Sequence, residues 1–423
     1  MKDANIDDAS IEVSTGIVGE RERARYWNRI FEISLTSTAF TKDGTLTQEG
    51  RRQLAHEHVH LFQQLATGYG AREVWSLIHE IDFVEDAIRN GTNLQSEQLI
   101  IEREYLDRTR LDKTADSAFV AVEDMLLSLS GSGDSGEVQV VLVHSDGQPR
   151  RRTLGSSSIL EAQAMAVEAV AGLLVPSPGK IEYRYRVIRD YLDTKFVNVD
   201  DYHVIAICYF ALFFGYPAVV FHQIVDLLFQ TFKNDLPDAN VVHIHLSEVL
   251  SINDRVKNVL DGYQYLHEHY ERRSKDEPRA IAMRWAREKF INVSRRIADK
   301  REHFPLELFG WGQSRKIDWS ELESLIPIPR IRSAGNSYVV DAEGNEVVIW
   351  MTCFSHLVRA LPEIGRTSTV ETKCPIFGAC ELVKDDACER RPWAKVAEAP
   401  YCYYAVAARM IGLNDETLTR FTV

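Results

Sequence analysis

The chain has 423 residues, a net charge of −13, and apolar and charged fractions of 45% and 26%. That length is too great for one simple core and predicts a globular protein of two or three domains. The acidic balance excludes a general nucleic-acid-binding surface.

Met1 to Ser14 is polar and acid-rich, with none of the basic and apolar regions of a secretory leader, so the expected location is cytoplasmic. Residues 1–20 are expected to be mobile. Helical periodicity dominates from Glu20 to Leu129. Within it, Thr47-Gln48-Glu49 offers a capping start, and Leu54, Val59, Leu61 and Phe62 supply an apolar face. Gly68-Tyr69-Gly70 provides a stop. A second helix is expected around Ala71–Arg89 and a third before Ser130. Ser130 to Gly136 reads as a loop, and Val138–Val143 with Arg150–Leu154 reads as a β-hairpin turning at Ser145-Asp146-Gly147. A helix follows from Ser158 to Leu174 and ends at Pro176.

Val204 to Phe221 is uncharged for 18 residues, which reaches the length of a membrane span. Gly215-Tyr216-Pro217 interrupts it, so the stretch reads as two buried helices, His203–Phe214 and Ala218–Phe232. Helices fill 180–304, and the charged run from Arg272 to Arg301 reads as a solvated face. Pro305 and Pro327–Pro329 punctuate its end. Ser337–Trp350 predicts a second hairpin, turning at Gly344-Asn345. The fold class is mainly α with small β-hairpins (α+β).

The chemistry concentrates in Leu54-Ala-His-Glu-His-Val-His-Leu-Phe-Gln-Gln64, which contains His56-Glu57-x-x-His60. Residues four apart share a helical face, so both imidazoles can reach one metal ion. Glu57 follows the first ligand and is placed to deprotonate a water that the metal activates. The plain alternative is a His-rich surface helix. His267-Glu-His-Tyr-Glu271 starts the same way but has Glu271 where the second ligand belongs.

A catalytic zinc site takes a third protein ligand. Glu161 and Glu168 lie seven apart on one face of a helix carrying Ala162, Ala164 and Ala166, which permits close approach to a neighbour. A carboxylate in such surroundings is costly to bury unpaired, and a metal satisfies it. Glu80, on the helix after the motif, is the rival, with His79 and Asp82 beside it. Asp82 could instead orient a ligand imidazole. Tyr69, His79, Tyr202 and His203 are candidates for stabilising an oxyanion.

His56-Glu57-x-x-His60 with a downstream glutamate resembles the zincin metallopeptidases, in the gluzincin pattern of two histidines and one glutamate. The spacing to Glu80 is similar to the thermolysin-like branch, without that branch's flanking signature. The segment from Glu161 to Pro176 resembles the third-ligand helix of bacterial metallopeptidases that cleave repressors. In those, the helix follows the motif much sooner. The likeness covers about residues 45–176, points to a poorly characterised bacterial zincin-like group and favours Glu161 as the ligand. It implies a zinc-dependent endopeptidase with His56, His60 and Glu161 as ligands and Glu57 as general base. The expected organisation is a zincin-like metal-binding domain over 21–180, a helical domain over 181–330 and a Cys-containing region over 331–423.

Cys374, Cys380, Cys388 and Cys402 could close a second, structural zinc site, although no Cys-x-x-Cys is present and buried thiols are the competing reading. The expected partners are a protein or peptide substrate and a regulatory protein, with no nucleic acid or membrane. The alternative function is a zincin-like scaffold that binds a partner, its metal site non-catalytic or regulatory.

Overall fold

The computed structural model describes residues 24–27, 30–91, 119–129, 136–173, 183–274, 277–299, 304–310, 319–333, 336–364, 373–377, 386–396, 402–414 and 417. These residues are mainly helical, with two small sheets, so the α+β class holds. The elements begin with β1 (Arg25–Trp27), β2 (Glu32–Leu35), α1 (Gln48–Ala66), α2 (Gly68–Asn90), β3 (Phe119–Leu129), β4 (Gly136–His144) and β5 (Pro149–Leu154). A helical block follows: α3 (Ser156–Val170), α4 (Tyr183–Lys195), α5 (Asp201–Ala211), α6 (Pro217–Phe232), α7 (Ala239–Val249), α8 (Ile252–Glu271), α9 (Pro278–Asp299) and α10 (Trp319–Leu325). The chain closes with β6 (Arg330–Ser333), β7 (Asn336–Val339), α11 (Ala342–Ile364), α12 (Asp386–Arg390) and α13 (Tyr403–Met410). No helix among the described residues is long and apolar enough to cross a membrane.

The chain divides into two compact units built from separated stretches, one from 1–50, 76–99 and 328–423, the other from 51–75 and 100–327. In the first, the strands run in the order β1-β2-β6-β7, with β2 and β6 parallel and the other pairs antiparallel. The expected hairpin over Ser337–Trp350 is corrected here. Only its first arm is a strand, and β7 pairs back onto β6, while Gly344-Asn345 lies in the first turn of α11. The Asp341 carboxylate accepts from the Gly344 amide at 3.2 Å and caps that helix. Val347, Val348, Met351, Phe354, Leu357, Val358 and Leu361 are buried at helical spacing, which overrides the local β tendency of the valines.

In the second unit, β3, β4 and β5 form an antiparallel sheet. Val138, Val140 and Leu142 face its core, and the β4–β5 hairpin matches expectation. The strand β3 does not, because a helix was expected before Ser130. The ladder is irregular between Phe119 and Ala121 and between Val122 and Asp124. Those bulges bury Phe119, Val122 and Met125, every third residue, and so imitate a helical period on a strand. β1 and β2 likewise replace helix in the stretch after Glu20.

The apolar Val204–Phe221 stretch forms α5 and α6, as expected. Asp200 and His203 make a reciprocal capping box at the start of α5, and Pro217 occupies the first turn of α6. Gly68-Tyr69-Gly70 does not merely end α1 but opens α2. A Cβ on Gly70 would lie 2.2 Å from the Gln64 carbonyl oxygen, so only glycine allows this tight junction.

Candidate metal centre

The site lies within the second unit, between α1 and α3. At the start of α1, the Gly50 amide donates to Thr47 Oγ1 at 2.9 Å, the cap foreseen from the sequence. Val59, Leu61, Phe62 and Leu65 are fully buried, fixing the rotation of α1 and leaving His56 and His60 on a less covered side. Gly155, in extended conformation, leads β5 into α3. The Tyr69 and Ser156 hydroxyls are hydrogen-bonded at 2.8 Å at that entry. Ala162, Ala164 and Ala166 are buried as α3 packs against α5.

His56, His60 and Glu161 converge. The two Nε2 atoms are 3.1 Å apart, and Glu161 Oε2 lies 3.0 Å from His56 Nε2 and 3.4 Å from His60 Nε2. Among the described residues, these three form the group with metal-ligand spacing. The outer face of each ring is occupied. His56 Nδ1 donates to the Glu168 carboxylate, which also accepts from Arg52 Nη1 at 3.2 Å. His60 Nδ1 donates to Gln63 Oε1 at 2.7 Å. The Gln63 orientation is set because its Nε2 donates to Leu160 O at 2.9 Å and to Gln163 Oε1 at 2.8 Å. Gln163 Nε2 in turn donates to Ile205 O at 3.0 Å.

With both Nδ1 atoms acting as donors, both neutral imidazoles present Nε2 as a lone pair. Two lone pairs and a carboxylate oxygen at contact distance repel one another unless positive charge sits among them. A proton is one solution. Burial pulls His56 down, but hydrogen bonds to Glu161 and Glu168 and the charges of Glu161 and Glu57 outweigh it and hold its pKa well above the ordinary imidazole value. Burial pushes Glu161 up, yet its contacts with His60 and His56 hold it well below the usual carboxylate range. A metal ion is the other solution, and the donor set suits zinc. Zinc bonds of 2.0–2.1 Å in a tetrahedron separate neighbouring ligand atoms by about 3.3 Å, close to the spacings found.

The chain matches no known protein family, curated protein or solved structure. The site therefore rests on its own geometry.

Glu57 is buried on α1 beside His56, and its charge acts on that ring. Glu80 is buried in the second half of α2, in the 76–99 stretch of the first unit, and is not one of the three convergent side chains. Tyr69 is engaged with Ser156, and His203 is held by Asp200 and by the Pro237 carbonyl. His79 is exposed and Tyr202 half-buried, and none of these four joins the group. His58, between His56 and His60 in sequence, turns away and bonds the Ile326 carbonyl at 2.8 Å. Gln163 and Arg52 were not foreseen, and Gln63, the glutamine of a His-Glu-x-x-His-x-x-Gln pattern, was not foreseen as the partner of His60. The signal for Gln63 was its position three residues after His60, on the same helical face.

Cys374 and Cys402 are buried and Cys388 is half-buried, while Cys380 lies outside the described residues. The Cys374 amide donates to the Cys388 carbonyl at 2.7 Å. Among the described residues, the thiols do not gather at metal-ligand spacing.

Proposed function

We propose that the chain is a cytoplasmic zinc-dependent endopeptidase, with His56, His60 and Glu161 as ligands and Glu57 as general base. The observation that carries this reading is the meeting of three lone-pair donors, two of them imidazoles whose outer nitrogens are already hydrogen-bonded, with a buried carboxylate next in sequence to one of them. Bound there, zinc would supply Lewis acidity toward a peptide carbonyl and make water acidic enough to attack at neutral pH. Glu57 accepts the proton of the attacking water and passes it to the leaving nitrogen as the C–N bond breaks. The water's second proton follows to the released nitrogen, so the products are a carboxylate and a protonated amine, and proton and bond counts balance. The Glu161 carboxylate would offset part of the ion's charge, and the two neutral imidazoles would donate lone pairs to it. The side chains of His56, His60 and Glu161 are only 13–16% exposed, which suits an extended substrate segment rather than a folded surface.

The test is Glu57→Gln. Zinc should remain at one equivalent, while hydrolysis of an unfolded protein substrate falls by 10²–10⁴-fold. Wild-type protein that holds zinc but cleaves nothing would favour the partner-binding alternative. Wild-type protein that holds no zinc would remove the proposal.

A further inference from the structure

We propose that Glu168 is the positioning residue of this metal centre, fixing the His56 ring so that Nε2, and not Nδ1, faces the ion. The inference rests on the metal reading above and assigns a role to a residue outside the ligand set.

Three observations carry it. Glu168 is 3% exposed on its side chain and meets His56 Nδ1 directly, on the side of the ring away from Glu161 and His60. Its second oxygen is taken by Arg52 at 3.2 Å, so both oxygens are engaged and the carboxylate cannot swing toward the ion. Arg52 lies four residues before His56 on α1, so one helix supplies both the guanidinium and the ring that clamp the carboxylate. Third, Glu168 occupies an unfavourable place. It sits in the last turn of α3, where its own carbonyl accepts from the Leu173 amide and Gly172 takes a left-handed φ of +67°. The exposed carbonyls of a helix C-terminus repel a carboxylate. A buried charge in that position needs Arg52 and His56 to hold it, and it gives His56 a strong acceptor that His60, bonded to the neutral Gln63 amide, lacks.

The experiment measures zinc affinity by competition with a chromophoric chelator, and the visible absorption spectrum of the Co²⁺-loaded protein, in wild type, Glu168→Gln and Glu168→Asp. Glu168→Gln keeps shape and an acceptor but removes the charge. It should weaken zinc by about 10–100-fold and shift the cobalt bands, since outer-shell partners of ligating histidines carry effects of that size. Glu168→Asp retains the charge and should give an intermediate loss, and it decides the matter if the glutamine variant does not fold. Variants that melt at lower temperature without metal, yet bind zinc as wild type and leave the cobalt bands unmoved, would reduce Glu168 to a structural role and overturn the inference alone. Wild-type protein that binds neither metal would overturn this inference together with the metal reading.

Discussion

Zinc binding should stabilise the second unit by an amount that the geometry bounds. The three donor atoms are 3.0, 3.1 and 3.4 Å apart, against about 3.3 Å in a tetrahedral zinc site, so each needs to move by only about 0.3 Å. The rings are already oriented by Glu168 and Gln63, so little conformational freedom is lost on binding. At free zinc 100-fold above Kd, binding to the folded state alone contributes about 2.7 kcal/mol. For a unit of about 250 residues, each kcal/mol moves Tm by roughly 2–4 °C, so the shift should be roughly 5–10 °C. The assay is differential scanning fluorimetry across chelator-buffered zinc from picomolar to micromolar. Above Kd, Tm should rise linearly with the logarithm of free zinc, with the slope of one site. His56→Ala removes one donor and leaves Glu161 and Glu168 facing each other across the gap, so its Tm should ignore zinc. A wild-type Tm equally indifferent to zinc would refute the argument, and so would His56→Ala showing the same rise.

Gly70→Ala would place a Cβ 2.2–2.5 Å from the Gln64 backbone, one turn beyond His60, and should cost about 3 kcal/mol and weaken zinc binding. Urea denaturation with a wild-type midpoint would contradict it. Phe62 is fully buried against Tyr209, Phe304 and Phe309, with ring centroids 5.5–6.2 Å away, so Phe62→Ala should lose about 3–5 kcal/mol in the same assay. His356 is bonded to the Tyr404 hydroxyl, and burial, aided by the Arg359 charge, lowers its pKa to about 4 from 6.5. Because the folded value is depressed, the stability it contributes is present above pH 6.5 and is lost as pH falls through 4. The loss is on the order of 3 kcal/mol. Comparing denaturation at pH 7 and 4.5, His356→Gln should show a flatter pH response, and an unchanged response would exclude His356 as the cause.

Much of the helical architecture was legible because its signals are local. Asp200 three residues before His203, Pro217 after Gly215-Tyr216, and the burial period of α6 all act within a turn or two. What failed was non-local. The bulges of β3 are set by its pairing with β4, and they turn a strand into an apparent three-residue period at Phe119, Val122 and Met125. Val347-Val348-Ile349 carries β propensity, but the Asp341 cap and the burial of one face of α11 outweigh it. Turn chemistry misled as well, since Gly344 serves a helix start and not a hairpin.

The candidate metal site divides along the same line. The two imidazoles four residues apart follow from helix geometry alone, whereas Glu161 reaches His56 across 105 positions of sequence. Such a separation costs less than it suggests. Loop-closure entropy grows only with the logarithm of length, so a connection of about a hundred residues is disfavoured relative to one of thirty by only about 1 kcal/mol. Here the intervening chain also contains the β3–β4–β5 sheet, whose last strand leads through Gly155 directly into α3. Nearness in sequence was therefore weak support for Glu80. The stronger indicator was compositional: two glutamates seven apart on a helix otherwise lined by alanines. One of them turns its carboxylate to the two Nε2 atoms and the other to His56 Nδ1, so a single helix face supplies both a candidate ligand and the acceptor that meets a second candidate from behind.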